Sequence, residues 1–466
     1  MNKENIFEIN ALDCDPAQLE KPKNHFFPQD TGFQLKSLIQ KYNQGQPRPL
    51  EVSFRELVPW VYGGSRASHY LHSYPAKLLP QIAHFFLAND LLCPSDGLVL
   101  DPFSGSGTVA LEAILSGRNA YYCDVNPFAR LLTKAKTTPV TEREVDAAML
   151  KVKKLYFSCK ESVPPDVVNL EYWYDSETTR NLSRLKNAID TVRSKATRNL
   201  MYIAFSTVSK QVSRANPRFS VPVRLKINGL HVDVRADMEQ VWAKYIKIVD
   251  RLKCQVSCLA EHEFLGRSTL VSKNVLSLGE RWPKAAKPYG EVDMVITSPP
   301  YAGAQKYVRS TSLSLGWLDQ AKSSELKRIE NLTLGREHLP KAMSAELQAT
   351  SIPHADKMIR EIAIENPARA AIASVFLNEM KFATQKIMGS LKEGGYAVIV
   401  MADNTICGRR FETTAFTTEL FLNTGATKVL EVRDKIISRS LQTKRASSSS
   451  SISHETVTVF QKGRVV

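Results

Sequence analysis

The stretch that most constrains this chain is Leu98–Thr108, LVLDPFSGSGT. Its apolar head reads as a short buried strand, Leu98-Val99-Leu100. Gly105 and Gly107 then let the backbone turn tightly and come close to a ligand. A helix over Val109–Leu115, ended by Gly117, would turn its free N–H groups toward that loop. A strand, a glycine loop and a helix in this order predict an α/β fold. Further strands are expected over Ala120–Val125, Val292–Thr297, Tyr396–Met401 and Thr456–Phe460, with helices between them, so the sheet should be mostly parallel. A first helix is expected over Leu78–Leu91 and a polar, extended lead-in over residues 1–50.

Charge narrows the partner. Of 466 residues, 62 are Lys or Arg and 47 are Asp or Glu, a net charge of +15. Such an excess suits a polyanion. Residues 151–270 hold 21 basic and 12 acidic side chains, +9 of that total. This segment belongs to an insertion, about 135–270, that reads as largely helical. The seven cysteines are odd in number and irregularly spaced, against a disulfide framework. Cys254 and Cys258 lack a second ligand pair at finger spacing, so no metal is expected. No run of about 18 apolar residues occurs and the N-terminus has no apolar stretch, which predicts a cytoplasmic protein without membrane contact. Ser447–Ser451, after Lys444-Arg445, reads as a low-complexity loop.

Two sites carry chemistry. Asp124 ends the strand after the glycine loop, 17 residues beyond Gly107. A carboxylate there can accept from both hydroxyls of a ribose. That serves NAD and S-adenosylmethionine alike, and GSGTVA fits the dinucleotide fingerprint with Ala110 in third place. The second site is Val295–Tyr301, VITSPPY. Prolines have no N–H, so neighbouring carbonyls are left free to accept. Acceptors at Ser298 and the Ser298–Pro299 backbone could hold a base amino group, and Tyr301 offers an aromatic face for stacking.

Together, DPFSGSGT at 101–108 and TSPPY at 297–301 resemble the amino-methyltransferases of DNA, over residues 69 to 462. The resemblance implies a Rossmann-like sheet with an antiparallel last strand (454–462), and transfer of a methyl group from S-adenosylmethionine to cytosine N4 or adenine N6. It implies a discontinuous catalytic domain, 69–134 and 271–466, after a lead-in over 1–68. The insertions at 135–270 and 302–370 are left for target recognition. Cofactor contacts are implied for Tyr74 and Lys77, for Asp101, Pro102, Phe103, Ser104, Gly105, Ser106, Gly107 and Thr108, and for Asp124, Asn126 and Thr297. Asn274 stands where the family usually has an aspartate near the adenine amino group. Ser298, Pro299, Pro300 and Tyr301 fall on the catalytic motif.

Serine before Pro-Pro tilts the target to cytosine N4, with adenine N6 as the alternative. C5 methylation needs a cysteine nucleophile, usually in a Pro-Cys pair, and the chain has only Cys-Pro at 93–94. Duplex DNA is the expected partner, bound through Lys210, Arg214, Arg218 and Arg224 of the first insertion and Tyr307 and Arg309 of the second. Leu315-Gly316-Trp317-Leu318 is expected to shape the base pocket. Rival readings are an RNA amino-methyltransferase and a non-catalytic DNA-binding subunit. A restriction endonuclease would be a separate chain, and a monomer is favoured.

Overall fold

The computed structural model describes residues 29–45, 48–62, 66–263, 265–303, 306–340, 343, 347–436 and 453–463; Ser447–Ser451 lies outside them. Eight strands form the main sheet: β1 (Leu50–Val52), β2 (Leu98–Asp101), β3 (Asn119–Cys123), β4 (Ser268–Ser272), β5 (Val292–Thr297), β6 (Leu391–Met401), β7 (Thr427–Lys435) and β8 (His454–Gln461). Their spatial order is β1-β7-β8-β6-β5-β2-β3-β4. β8 runs antiparallel to both neighbours, and every other adjacent pair is parallel.

The central strands are near-continuous apolar runs, as parallel strands covered on both faces must be. Val99, Met294 and Ile296 enter one core, and Leu98, Leu100 and Val295 enter the other. The first face is covered by helices that include Pro80–Leu87, Thr108–Leu115 and Pro127–Lys136. The insertion follows as Glu142–Ser158, Ser176–Asp190, Lys195–Gln211 and Met238–Ala260. Its Tyr156, Leu185, Phe205 and Tyr245 belong to the same apolar cluster as the sheet. Capping boxes, Thr141 with Glu144 and Asp237 with Gln240, start the first and last of these insertion helices. The second face packs against Pro353–Glu365, Pro367–Ser390 and Thr413–Leu422.

The structure corrects several expectations. The extended lead-in contains a helix, Gly32–Gln44, which buries Leu35 and Tyr42, and then β1, which pairs with β7 from Leu50↔Val432. Here the apolar positions at helical spacing sit among polar ones, which hides their period. The helix expected from Leu78 begins at Pro80, whose missing N–H costs nothing in a first turn. β3 stops at Cys123 because Asp124 turns away to bind the glycine loop. β4 and β7 are additional strands. Among the described residues no helix is long and apolar enough to cross a membrane.

Strand order reverses between β2 and β5. In open α/β sheets the crevice for a ligand opens there, at the carboxyl ends of the strands. β2 delivers the glycine loop to that crevice and β5 delivers Ser298-Pro299-Pro300-Tyr301.

Candidate active site

The glycine loop is held from two sides. Asp101 Oδ1 accepts from Phe103 N at 3.2 Å and from Thr297 Oγ1 at 2.7 Å, so the ends of β2 and β5 are tied together. Burial raises the Asp101 carboxyl to about 7, against the two hydrogen bonds it accepts. Ser104 N donates to Cys123 O at 2.9 Å. Gly105 and Gly107 have φ of +47° and +77°, in the left-handed region that favours glycine. A Cβ on Gly107 would stand 2.8 Å from Thr133 Oγ1 and 2.9 Å from Thr133 Cα. Ser106 and Thr108 are buried and bond each other at 3.2 Å.

Asp124 stands opposite. Its Oδ2 accepts from Gly105 N and its Oδ1 from Asn126 N, each at 2.8 Å. Burial raises this carboxyl, with the two backbone donors and Arg130 working against it. A carboxylate has about four acceptor sites, so capacity remains for two more donors. Asn126 caps Pro127–Lys136 by accepting from Phe128 N, and its amide donates to Thr311 Oγ1 at 3.0 Å and the Tyr74 hydroxyl at 3.4 Å. The Tyr74 and Tyr307 rings stack with centroids 6.4 Å apart.

These groups line one cleft. Tyr74, Pro102, Phe103, Gly105, Asp124 and Asn126 face Ser298, Pro300 and Tyr307 across it. Ala76, Val125, Val275, Thr333 and Leu334 complete the lining. Nothing in the sequence points to Thr333 and Leu334, which return to the cleft from beyond the helix Tyr307–Trp317. Pro299 is buried behind the motif, and Tyr301 is half-buried beside Ser298 without lining the cleft itself. Burial holds the Tyr301 phenol well above its ordinary pKa, with a Ser298 hydrogen bond working the other way.

Other expected residues lie elsewhere. The Asn274 side chain accepts from Leu276 N at 3.0 Å to cap a short helix, and its neighbour Val275 takes the place in the cleft. Lys77 lies over the Tyr70 ring, 5.0 Å from its centroid. Trp317 packs edge-on against Tyr174 and Phe205, and Leu315 is buried in the same core, so neither shapes a base pocket. Lys210, Arg214 and Arg224 are engaged by backbone carbonyls of their own region. Arg218 and Arg309 are exposed.

A buried ionic cluster braces the cleft from behind. Glu112, on the helix after the glycine loop, accepts from Arg66 Nε at 2.7 Å, and contacts His69 Nε2 at 2.7 Å and His84 Nδ1 at 3.0 Å. Burial alone would raise this carboxyl; Arg66 and the two histidines hold it well below the usual range. The segment carrying Tyr74 is thereby fixed to the glycine-loop helix.

The cleft fits S-adenosylmethionine by its chemistry. Asp124 has acceptors to spare for a vicinal diol, Phe103, Val125 and Val275 give an apolar wall for a base ring, and the glycine loop admits close approach.

A DNA methylase family model matches residues 31–134. The chain is 24% identical over 379 residues to the Type II methyltransferase M.MvaI of Kocuria varians, covering 76% of this chain and 81% of that protein. A 68-residue stretch is 32% identical to the Type II methyltransferase M.MjaII of Methanocaldococcus jannaschii, covering 15% of this chain and 12% of that protein. The solved rRNA methyltransferase AviRa of Streptomyces viridochromogenes aligns over 84% of this chain and 88% of its own, at 10% identity and a TM-score of 0.28. The family match and the sequence likeness to M.MvaI agree with the glycine loop and TSPPY turn that meet at the switch point of the sheet. Residues 31–134 thus match the DNA methylase domain of the amino-methyltransferases of DNA, most of the chain is similar to a Type II methyltransferase, and the methyl donor is S-adenosylmethionine.

Proposed function

We propose that this protein methylates the exocyclic N4 of cytosine in duplex DNA at a specific sequence, as a Type II modification enzyme. The observation that carries the reading is the meeting of Ser298 and Asp124 in one cleft. Asp124 would hold the ribose of S-adenosylmethionine, with the glycine loop and Phe103 against the rest of the molecule. When bound, the cofactor supplies a methyl group activated by a sulfonium.

The protein's own groups do the remainder. A base in the stack is out of reach of the cleft, so the target is flipped out of the duplex. The Ser298 hydroxyl and the Ser298–Pro299 carbonyl accept the amino hydrogens, which aims the nitrogen lone pair into the cleft. Neither Pro299 nor Pro300 has an N–H to compete for those acceptors. Tyr301, beside Ser298 and outside the cleft lining, is assigned to stacking on the flipped base at the mouth of the cleft, and the Tyr74–Tyr307 pair walls the cleft. Holding the nitrogen in near-attack geometry supplies much of the rate. The basic helical insertion, 135–270, is assigned to DNA recognition. Serine at 298, where adenine enzymes of this family more often carry aspartate, supports cytosine.

The test is the product. Unmethylated duplex DNA and, separately, RNA are incubated with protein and S-adenosylmethionine, then digested to nucleosides for mass spectrometry. N4-methylcytosine from DNA is the expected result. N6-methyladenine would overturn the choice of base, and methylated RNA alone would overturn the choice of polymer.

A further inference from the structure

Residues 210–235 carry six basic side chains and one acidic, a net +5. Three of the six are committed locally. Lys210 Nζ donates to Phe219 O at 3.0 Å and Ser220 O at 3.3 Å. The Arg214 guanidinium donates to Glu171 O at 2.8 Å and to Asp233 Oδ1 at 2.6 Å. Arg224 donates to Tyr172 O at 2.7 Å and lies 4.9 Å over the Tyr172 ring. These contacts clamp the two ends of an excursion of the chain, and Leu225 N to Arg214 O at 2.8 Å and Val232 N to Leu225 O at 3.2 Å extend its backbone pairing.

From that base a two-stranded ribbon projects, Lys226–Ile227 against Leu230–His231. Asn228 and Gly229 turn it with φ of +50° and +82°, the two positive values of a tight hairpin turn. Nothing lies within 4 Å of where a Gly229 Cβ would be. A bare two-stranded ribbon is marginal in water, so the clamp is what holds this one out. Its two faces differ. Ile227 and Leu230 pair on one, 41% and 75% exposed, and Lys226 and His231 pair on the other.

We propose that the Lys226–His231 ribbon enters the major groove of the DNA and reads base edges there, while Lys210, Arg214 and Arg224 hold its base. This rests on the reading of the protein as a DNA methyltransferase. The major groove admits a two-stranded ribbon, and its base edges offer hydrogen-bond acceptors to the face that carries Lys226 and His231. The surplus positive charge of the region suits flanking phosphates, with Arg218 exposed to meet one.

The experiment compares the wild type with Lys226→Ala/His231→Ala and with Ile227→Ala/Leu230→Ala, in the full chain. S-adenosylmethionine affinity, affinity for a duplex bearing the recognised sequence, and the set of genomic sites methylated are measured for each. Cofactor affinity should not change. In Lys226→Ala/His231→Ala affinity for the recognised duplex should fall roughly tenfold and the methylated sites should spread to sequences the wild type ignores, whereas Ile227→Ala/Leu230→Ala, on the face turned away from the bases, should change both much less. Unchanged duplex affinity with an unchanged set of sites would overturn the ribbon's role. A wild type that methylates no DNA would overturn the underlying reading instead, and that arm needs no variant.

Discussion

Thr297 Oγ1 donates to Asp101 Oδ1 at 2.7 Å, joining the strand that delivers the glycine loop to the strand that delivers Ser298. This buried hydrogen bond ties the two halves of the chemistry together at the strand ends, beyond the backbone pairing of the strands themselves. Burial raises the Asp101 carboxyl from its ordinary 3.8 to about 7. A carboxyl whose folded pKa is raised adds stability below its unfolded value and loses it as pH climbs through the folded one. The wild type should therefore lose stability relative to Asp101→Asn between about pH 4 and pH 7, by a few kcal/mol. Urea unfolding of both proteins at pH 5 and pH 8 checks it; parallel behaviour would contradict the assignment.

The two loop glycines should fail differently. A methyl at Gly107 meets the Thr133 backbone at 2.9 Å with φ at +77°, so Gly107→Ala should cost more than about 2 kcal/mol of stability. At Gly105 the nearest atom is Tyr74 Cε1 at 3.6 Å, so Gly105→Ala should cost about 1 kcal/mol and weaken cofactor binding more than folding. Thermal unfolding and equilibrium cofactor binding separate the two.

Glu112 is buried against Arg66, His69 and His84. Glu112→Gln removes the counter-charge and should destabilise by about 3–5 kcal/mol at pH 7. Because the folded carboxyl titrates below its ordinary range, its contribution is present above that range and lost as pH falls through it. The gap between wild type and variant in urea should close toward pH 3.

The glycine loop and the Ser298–Tyr301 turn that meet at the cleft were legible in the sequence because they sit in short segments, and the loop needs glycine for its backbone angles. The strands β2, β5 and β8 are legible from runs of apolar or alternating residues. β1 is only three half-buried or exposed residues, and β4 mixes serine and threonine with two apolar positions, so neither stands out. Partners at a distance were not legible. Arg214 and Arg224 look like phosphate contacts in a basic run, yet they bond carbonyls at Glu171 and Tyr172, some 40 to 50 residues away. Thr333 and Leu334 reach the cleft only because the chain returns from a long excursion.

The central claim is that Ser298 orients the amino nitrogen while the glycine loop and Asp124 bind the methyl donor. Its most direct test measures transfer of labelled methyl to unmethylated duplex DNA by the wild type and Ser298→Ala, alongside cofactor affinity of each. Turnover should fall by roughly 10²–10³, the scale for losing one group that acts mainly in the transition state, with cofactor affinity unchanged. Equal losses in turnover and cofactor affinity, or no loss in either, would contradict it.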